Sequence, residues 1–237
     1  MRKVLFFILI LSFAACGPKK PTVAEQRAEK ARLDSIDYIN QQRTIRYTDS
    51  LLQIVLPEID PMLRAFVYEK NDSYEDHGHY VHRLLKTTSN TSRCFLQAYV
   101  SDDRITSVRS YYYGSKAINH TTLVLTAMSE EGVEYRATGH LHKFEAEGVH
   151  ETVSIDGDDA LAILRFIDGY GNAKIRVQLF ADSDSPKATY YLGDTEKQAL
   201  IETYALGVKM NDIHLLEQQQ RQASLHVQKY ERRYQKQ

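Results

Sequence analysis

Tryptophan is absent from this chain, and cysteine, proline and glycine are sparse: two, five and eleven among 237 residues. Two cysteines cannot form the disulfide framework that staples small secreted domains. So few prolines and glycines leave room for long uninterrupted helices. Neither sign of charge dominates, since 30 basic residues face 31 acidic ones for a net charge of −1. That balance excludes the basic footprint of a nucleic-acid binder. No apolar run approaches the roughly 20 residues that span a membrane. The longest, Val4 to Ala15, has about 12.

That short run lies between Arg2–Lys3 and the stretch Cys16, Gly17, Pro18, Lys19, Lys20. A basic start, a short apolar segment and small residues at Ala14 and Ala15 are the parts of an export signal. The stretch resembles the bacterial lipoprotein signal, whose lipobox ends in small residues and then cysteine. Phe13 stands where that pattern usually has leucine or a similar aliphatic. The resemblance implies a signal peptide at 1–15, lipidation at Cys16 with palmitate-type acyl chains, and a tether at 16–21. Each buried methylene contributes about 0.8 kcal/mol, so two or three chains anchor the protein effectively for good. Gly17 resembles the outer-membrane sorting choice, and Lys19 and Lys20 occupy the place of an acidic surface-export tag. The implied location is the cell envelope, at the outer membrane facing the periplasm. The segment Ala173–Ala181, then Tyr190–Gly193 and the helix after Asp194, is similar to the end of a group of uncharacterised Bacteroidota lipoproteins. That likeness supplies no activity.

Cleavage leaves about 222 residues with a net charge near −3, enough for one good-sized core plus an appendage. Thr22 and Glu25 form a capping box that opens a helix over 22–56, which Pro57 and Pro61 are expected to stop. Asp194 reads as the N-cap of a second helix over 194–237, with Gly207 its weak point. A heptad seam runs through Ile213, Leu216, Gln220, Ala223, Val227, Tyr230 and Tyr234. A weaker seam in the first helix runs through Ala28, Ala31, Ser35, Tyr38, Gln42, Ile45, Asp49 and Leu52. Antiparallel pairing that sets Ala31 against Tyr230 and Tyr38 against Ala223 puts large residues opposite small ones. Asp49 opposite Ile213 is its poor layer. The expected result is a coiled-coil stalk. Packing of each helix on the domain, or dimerisation through the seam, stays open. The stalk would gather Lys229, Arg232, Arg233 and Lys236 near the lipid.

Between the helices, at 62–193, the period changes to two. Strands are expected at 93–101, 104–113, 121–128, 133–138, 141–145, 149–155, 173–181 and 188–192. A helix is expected from Asp158 to Ile167. The fold class is α+β: a mostly antiparallel sheet domain with one inserted helix, flanked by the two long helices. Cys94 alternates with Leu96, Ala98 and Val100, and reads as a buried small hydrophobe.

The histidines carry the sharpest chemical pattern. His77, His79 and His82 lie beside Glu75 and Asp76, and His140 and His142 share one face of a strand. Such sets can hold zinc or copper. Gly78, however, suggests an exposed loop, and no H-E-x-x-H pattern occurs. Asp156, Gly157, Asp158 and Asp159 read as helix capping, since a calcium loop would need further ligands. Gly169 and Gly171 read as a helix end and turn. Glu130 and Glu131 read as a hairpin tip. No G-x-S-x-G or S-x-x-K pattern is present. The leading expectation is a non-enzymatic envelope lipoprotein with no catalytic residues, no cofactor and no metal. Its expected partner is an envelope protein, a glycan or peptidoglycan, and no nucleic acid. Two alternatives stand beside it: a metal-dependent hydrolase using the histidines, and a small-ligand or lipid carrier with Tyr111 to Tyr113 lining a pocket.

Overall fold

The computed structural model describes residues 21–70, 78–88, 93–129, 132–145, 149–182 and 185–234. Cys16, Lys19, Lys20, Glu75, Asp76, His77, Glu130, Glu131 and Lys236 lie outside these. The described chain is α+β, with two long terminal helices and two antiparallel sheets. It divides into two compact units. The larger is Thr48–Gln218, and the smaller joins the chain up to Tyr47 with Gln219–Gln237. The sheet unit therefore reaches beyond the expected 62–193 at both ends and takes in part of each long helix.

Helix α1 spans Val23–Leu63. The capping box forms as expected. The Thr22 N–H donates to Glu25 Oε2 at 2.6 Å, and the Glu25 N–H donates to Thr22 Oγ1 at 3.2 Å. The helix does not stop at residue 56, however, and passes through Pro57 and Pro61. Each proline leaves the carbonyl four residues earlier without its helical donor. Those carbonyls belong to Gln53 and Pro57, both on the exposed face, where water can satisfy them. The opposite face carries Leu52, Val55, Ile59, Met62 and Leu63 into a hydrophobic cluster, and this burial holds the helix together.

In the larger unit the remaining elements run β1 (Phe66–Lys70), β2 (Gly78–His82), α2 (Arg83–Thr88), β3 (Cys94–Ser101), β4 (Thr106–Gly114), β5 (Thr122–Ala127), β6 (Glu134–Thr138), β7 (His140–Glu145), β8 (Val149–Asp156), α3 (Gly157–Gly169), β9 (Ile175–Phe180), β10 (Ala188–Tyr191) and α4 (Asp194–Tyr234). One sheet was expected and two are present. Their orders are β1-β2-β3-β4-β8-β7 and β10-β9-β5-β6. The chain changes sheets between β6 and β7 at Gly139. The Gly139 N–H donates to the Thr121 carbonyl at 2.9 Å. A Cβ there would stand 2.4 Å from the Ser154 carbonyl oxygen, so only glycine fits the corner.

The inward faces of both sheets, α3 and the first turns of α4 share one core. Leu96, Leu123, Leu125, Val153, Ile163, Leu164, Ile167, Val177, Leu179 and Leu200 are completely buried within it. Each such side chain contributes about 1.5–3 kcal/mol relative to exposure. A second cluster joins Leu52 and Ile59 of α1 to Phe66, Val100, Leu206, Met210 and Ile213, with Leu216 packed alongside. Ile213 thus packs with Leu52 and its neighbours.

In the smaller unit, Tyr38 stacks on Tyr230 with ring centroids 4.4 Å apart. The Tyr38 hydroxyl donates to Glu231 at 3.3 Å, and Arg233 donates to Asp34 at 3.2 Å. Tyr234 donates its hydroxyl to the same Asp34 carboxylate. Tyr230 therefore meets Tyr38, one heptad from the expected Ala31.

Replacing Gly139 with alanine is expected to cost about 1–3 kcal/mol through overpacking against the Ser154 carbonyl. Urea denaturation checks this, and an unchanged midpoint would refute the tight corner.

Candidate functional site

Where β10 runs into α4, a cleft of about 1050 Å³ opens in the larger unit. It is lined by Ala188–Tyr191, by Gly193–Glu196, and by the neighbouring ends of β3 and β4 (Arg93, Cys94 and Tyr112 to Ser115). Its size is at the upper end of small-molecule sites, roughly 300–1000 Å³.

Glu196 organises the cleft. It is the third residue of α4 and reaches back to the Gly193 N–H at 3.4 Å, half of a capping box. Its other oxygen accepts the Leu96 N–H of β3 at 2.9 Å. Only 7% of the residue is exposed. Burial pushes its pKa up to about 7, and the two backbone donors offset only part of that rise. Asp194, expected as the cap, instead opens the helix with its carboxylate in solvent, 3.1 Å from Lys197. The Tyr190 hydroxyl is buried in the cleft wall and has no hydrogen-bond partner among the described residues. Burial raises its pKa well above the usual phenol value, and nearby Glu196 and Cys94 add to the rise. Burial likewise raises the half-buried Cys94 thiol, which keeps it protonated near neutrality. The cleft therefore offers a hydroxyl without a partner, a carboxyl that titrates near neutrality, a thiol and the Arg93 guanidinium. These are groups that bind, and no activated nucleophile is among them.

A second polar cluster lies outside the cleft. Glu151 and His120, 1% and 0% exposed, meet through Oε2 and Nδ1 at 2.9 Å. His120 Nε2 is 3.4 Å from the Ser110 hydroxyl. Glu151 also accepts the backbone N–H groups of Ile118, Asn119 and His120 at 2.8, 2.8 and 3.1 Å. Serine, histidine and glutamate thus stand in the order of a hydrolase triad. Ser110 is nevertheless fully buried, and none of the three lines the cleft. A nucleophile no substrate can reach does no acyl transfer, so the cluster serves structure. Burial opposes ionisation of Glu151. The Asn119 N–H, the His120 ring and the His120 and Ile118 N–H groups together hold its pKa below the ordinary value. Burial, against the pull of Glu151, moves His120 below the usual imidazole value.

The histidines do not converge. His79 pairs with Ser101 in register, while His82 turns to the other face and meets Glu202 of α4 at 2.8 Å. His140 and His142 lie on β7, four strand spacings from β2, or about 19 Å. No group of three metal-ligating side chains forms among the described residues. Gly78 was read as an exposed loop. It instead opens β2 and is buried, with its N–H on Asp102 Oδ2 at 2.7 Å. Tyr112 and Tyr113 line the cleft as the carrier reading expected, but Tyr111 lies outside it and donates to Gln97 at 3.0 Å. Asp158 and Asp159 sit in the first turn of α3, and Asp156 holds its N-cap position in extended backbone, with its carboxylate accepting from Ser107 at 2.5 Å and making no side-chain cap bond.

Sequence reasoning missed Glu196, His120 and Glu151. The spacing Gly193-x-x-Glu196 is a capping signal that was legible. So was Glu151, which alternates with the apolar Val149, Val153 and Ile155 on an inward face. His120 gave no signal. No protein-family model matches the chain, and no curated protein or solved structure matches it.

The two buried carboxylates respond oppositely to pH. Glu196 has a raised folded pKa, so the stability linked to it is complete below its ordinary value of 4.5 and is lost as pH rises towards about 7. Its substitution by glutamine is expected to flatten that loss, a difference of up to about 3 kcal/mol. Glu151 has a lowered folded pKa, so its contribution is present above the ordinary range and is lost as pH falls through the lowered value. Glu151→Ala is expected to cost about 3 kcal/mol or more, because several buried donors lose their acceptor. Denaturant midpoints measured from pH 4 to 8 check both variants. Parallel profiles for wild type and Glu196→Gln would contradict the first expectation.

Proposed function

We propose that this chain is a non-enzymatic, lipid-anchored module of the bacterial cell envelope that captures a partner in the cleft beside β10. The observation that carries the binding role is the unpartnered Tyr190 hydroxyl, buried in the wall of an open cleft. A buried polar group without a partner calls for an explanation, and a ligand that draws the Tyr190 ring outward into the cleft would supply one. The carboxyl of Glu196 and the Arg93 guanidinium flank it with further hydrogen-bonding capacity.

The anchor rests on the residues around Cys16, which resemble a lipobox and would carry acyl chains into the outer membrane. No described helix is long and apolar enough to cross a membrane. The contacts of Asp34 with Arg233 and of Tyr38 with Tyr230 support antiparallel pairing of α1 and α4 as a coiled-coil stalk. The metal-dependent hydrolase is the weaker reading, because His79 and His82 face opposite ways and His140 and His142 lie far along the sheet.

Intact-mass measurement of membrane-extracted protein tests the anchor. Acyl mass on Cys16 is expected, and Cys16→Ser should move the protein to the soluble envelope fraction. Cysteines placed at 38 and 230 are expected to crosslink within one chain. Cysteines at 31 and 230, displaced by one heptad or about 10 Å along the helix, should not. A 38–230 bond found only between chains would defeat the intramolecular stalk.

A further inference from the structure

We propose that the free edge of β10 is an acceptor for an extended peptide segment of a partner protein, which adds to the four-stranded sheet along the cleft. The proposal rests on the reading of that cleft as the binding site.

Among the described residues β10 is an edge strand, paired only with β9. The Leu192 N–H donates to the Ile175 carbonyl, and Tyr190 stands in register with Val177. Backbone groups alternate in direction along a strand. Residues 190 and 192 therefore turn their N–H and C=O groups to β9, and Thr189 and Tyr191 turn theirs to the open edge. No described group pairs with the main chain of Thr189 or Tyr191. All four residues of β10 line the cleft, although their side chains alternate between two faces. A cleft lined by both parities of one strand runs along its edge.

Sheet edges are ordinarily protected by charge. The other three edge strands follow that rule in sequence: β1 has Glu69 and Lys70, β6 has Glu134 and Arg136, and β7 has Lys143 and Glu145. β10 reads Ala-Thr-Tyr-Tyr and carries no charge. Among the described strands, the edge with no charge of its own, where the Lys174 ammonium lies 3.9 Å over the Tyr191 ring, is also the one beside a cleft. An added strand would gain main-chain hydrogen bonds from Thr189 and Tyr191, and its alternate side chains would point into the cleft. The Tyr190 hydroxyl is enclosed in the wall, so a peptide side chain meets it only when the ring turns outward, and one that draws it out must itself hydrogen-bond. Arg93 and Asp194 give the cleft both signs of charge, which favours an uncharged segment over an ion. A saccharide could meet the same hydroxyl, but it would leave the main-chain ladder unused.

The full chain in detergent micelles should enrich binders from a random twelve-residue peptide display library. Hydrogen exchange without peptide should show fast Thr189 and Tyr191 amides beside slow Tyr190 and Leu192 amides. An enriched peptide should slow the first two. Thr189→Pro removes an edge-facing donor and leaves β9 pairing intact. It should weaken peptide binding about tenfold, on the scale of a main-chain hydrogen bond, at an unchanged denaturation midpoint. Tyr190→Phe should relax the peptide preference at one position only. Slow Thr189 and Tyr191 amides in the peptide-free protein would overturn the proposal, a result that stands even if Thr189→Pro fails to fold. Equal binding by a folded Thr189→Pro would overturn it as well. Protection of the cleft by cellotriose or chitotriose, with no peptide selected, would reject the peptide and keep the binding module. No effect of either ligand class on the cleft amides would reject both.

Discussion

The junction between the two sheets depends on one buried carboxylate. Glu151 belongs to β8 of the six-stranded sheet, and the residues it holds, Ile118 to His120, lead directly into β5 of the four-stranded sheet. A backbone segment crossing a core must satisfy its own N–H groups. Here a single side chain accepts three of them and the His120 ring besides. Asn119 takes the left-handed conformation, φ 54°, to present its N–H to the shared carboxylate. Gly139 performs the return crossing by removing its side chain altogether. A carboxylate that gathers donors and a glycine that clears space carry the chain through two of its three passages between the sheets, and α3 spans the third, from β8 to β9.

Glu196 does related work at the opposite balance. Both glutamates are almost fully buried. Glu151 has four donors and stays ionised, with its pKa lowered; Glu196 has two and is pushed up to about 7. Burial raises both, and the number of donors set against it decides the net direction of each. That difference also separates their roles. A fully satisfied carboxylate is a structural clamp. A half-satisfied one at the mouth of a cleft keeps hydrogen-bonding capacity for something else, as does the Tyr190 hydroxyl near it.

The central strands were legible because their alternation is strong. Leu96, Ala98 and Val100 mark one face of β3, and Leu123 with Leu125 mark one of β5. β1 and β2 were not, since a five-residue strand reading Gly-His-Tyr-Val-His carries almost no period. The stop at Pro57 failed because proline rules describe local bonds, while α1 is held by tertiary burial of Leu52 and Ile59. The division into two sheets was invisible, because alternation reports which face is buried and says nothing of which strand lies beside it. The cleft was half legible. Tyr112 and Tyr113 were named in advance, but Tyr190 and Glu196 enter it only through the way β10 runs into α4.

The Tyr38–Tyr230 contact has a consequence for how the helices of the smaller unit can change over evolutionary time. If the two helices pair through a seam of sevens, as proposed, that seam is indifferent to the gain or loss of a whole heptad in both of them. Helix length is then free to vary in steps of about 10 Å while the facing residues keep their kind. Insertions of one or two residues would rotate tyrosine out of such a seam and bring charge in. Selection acting on reach alone would leave a record of sevens.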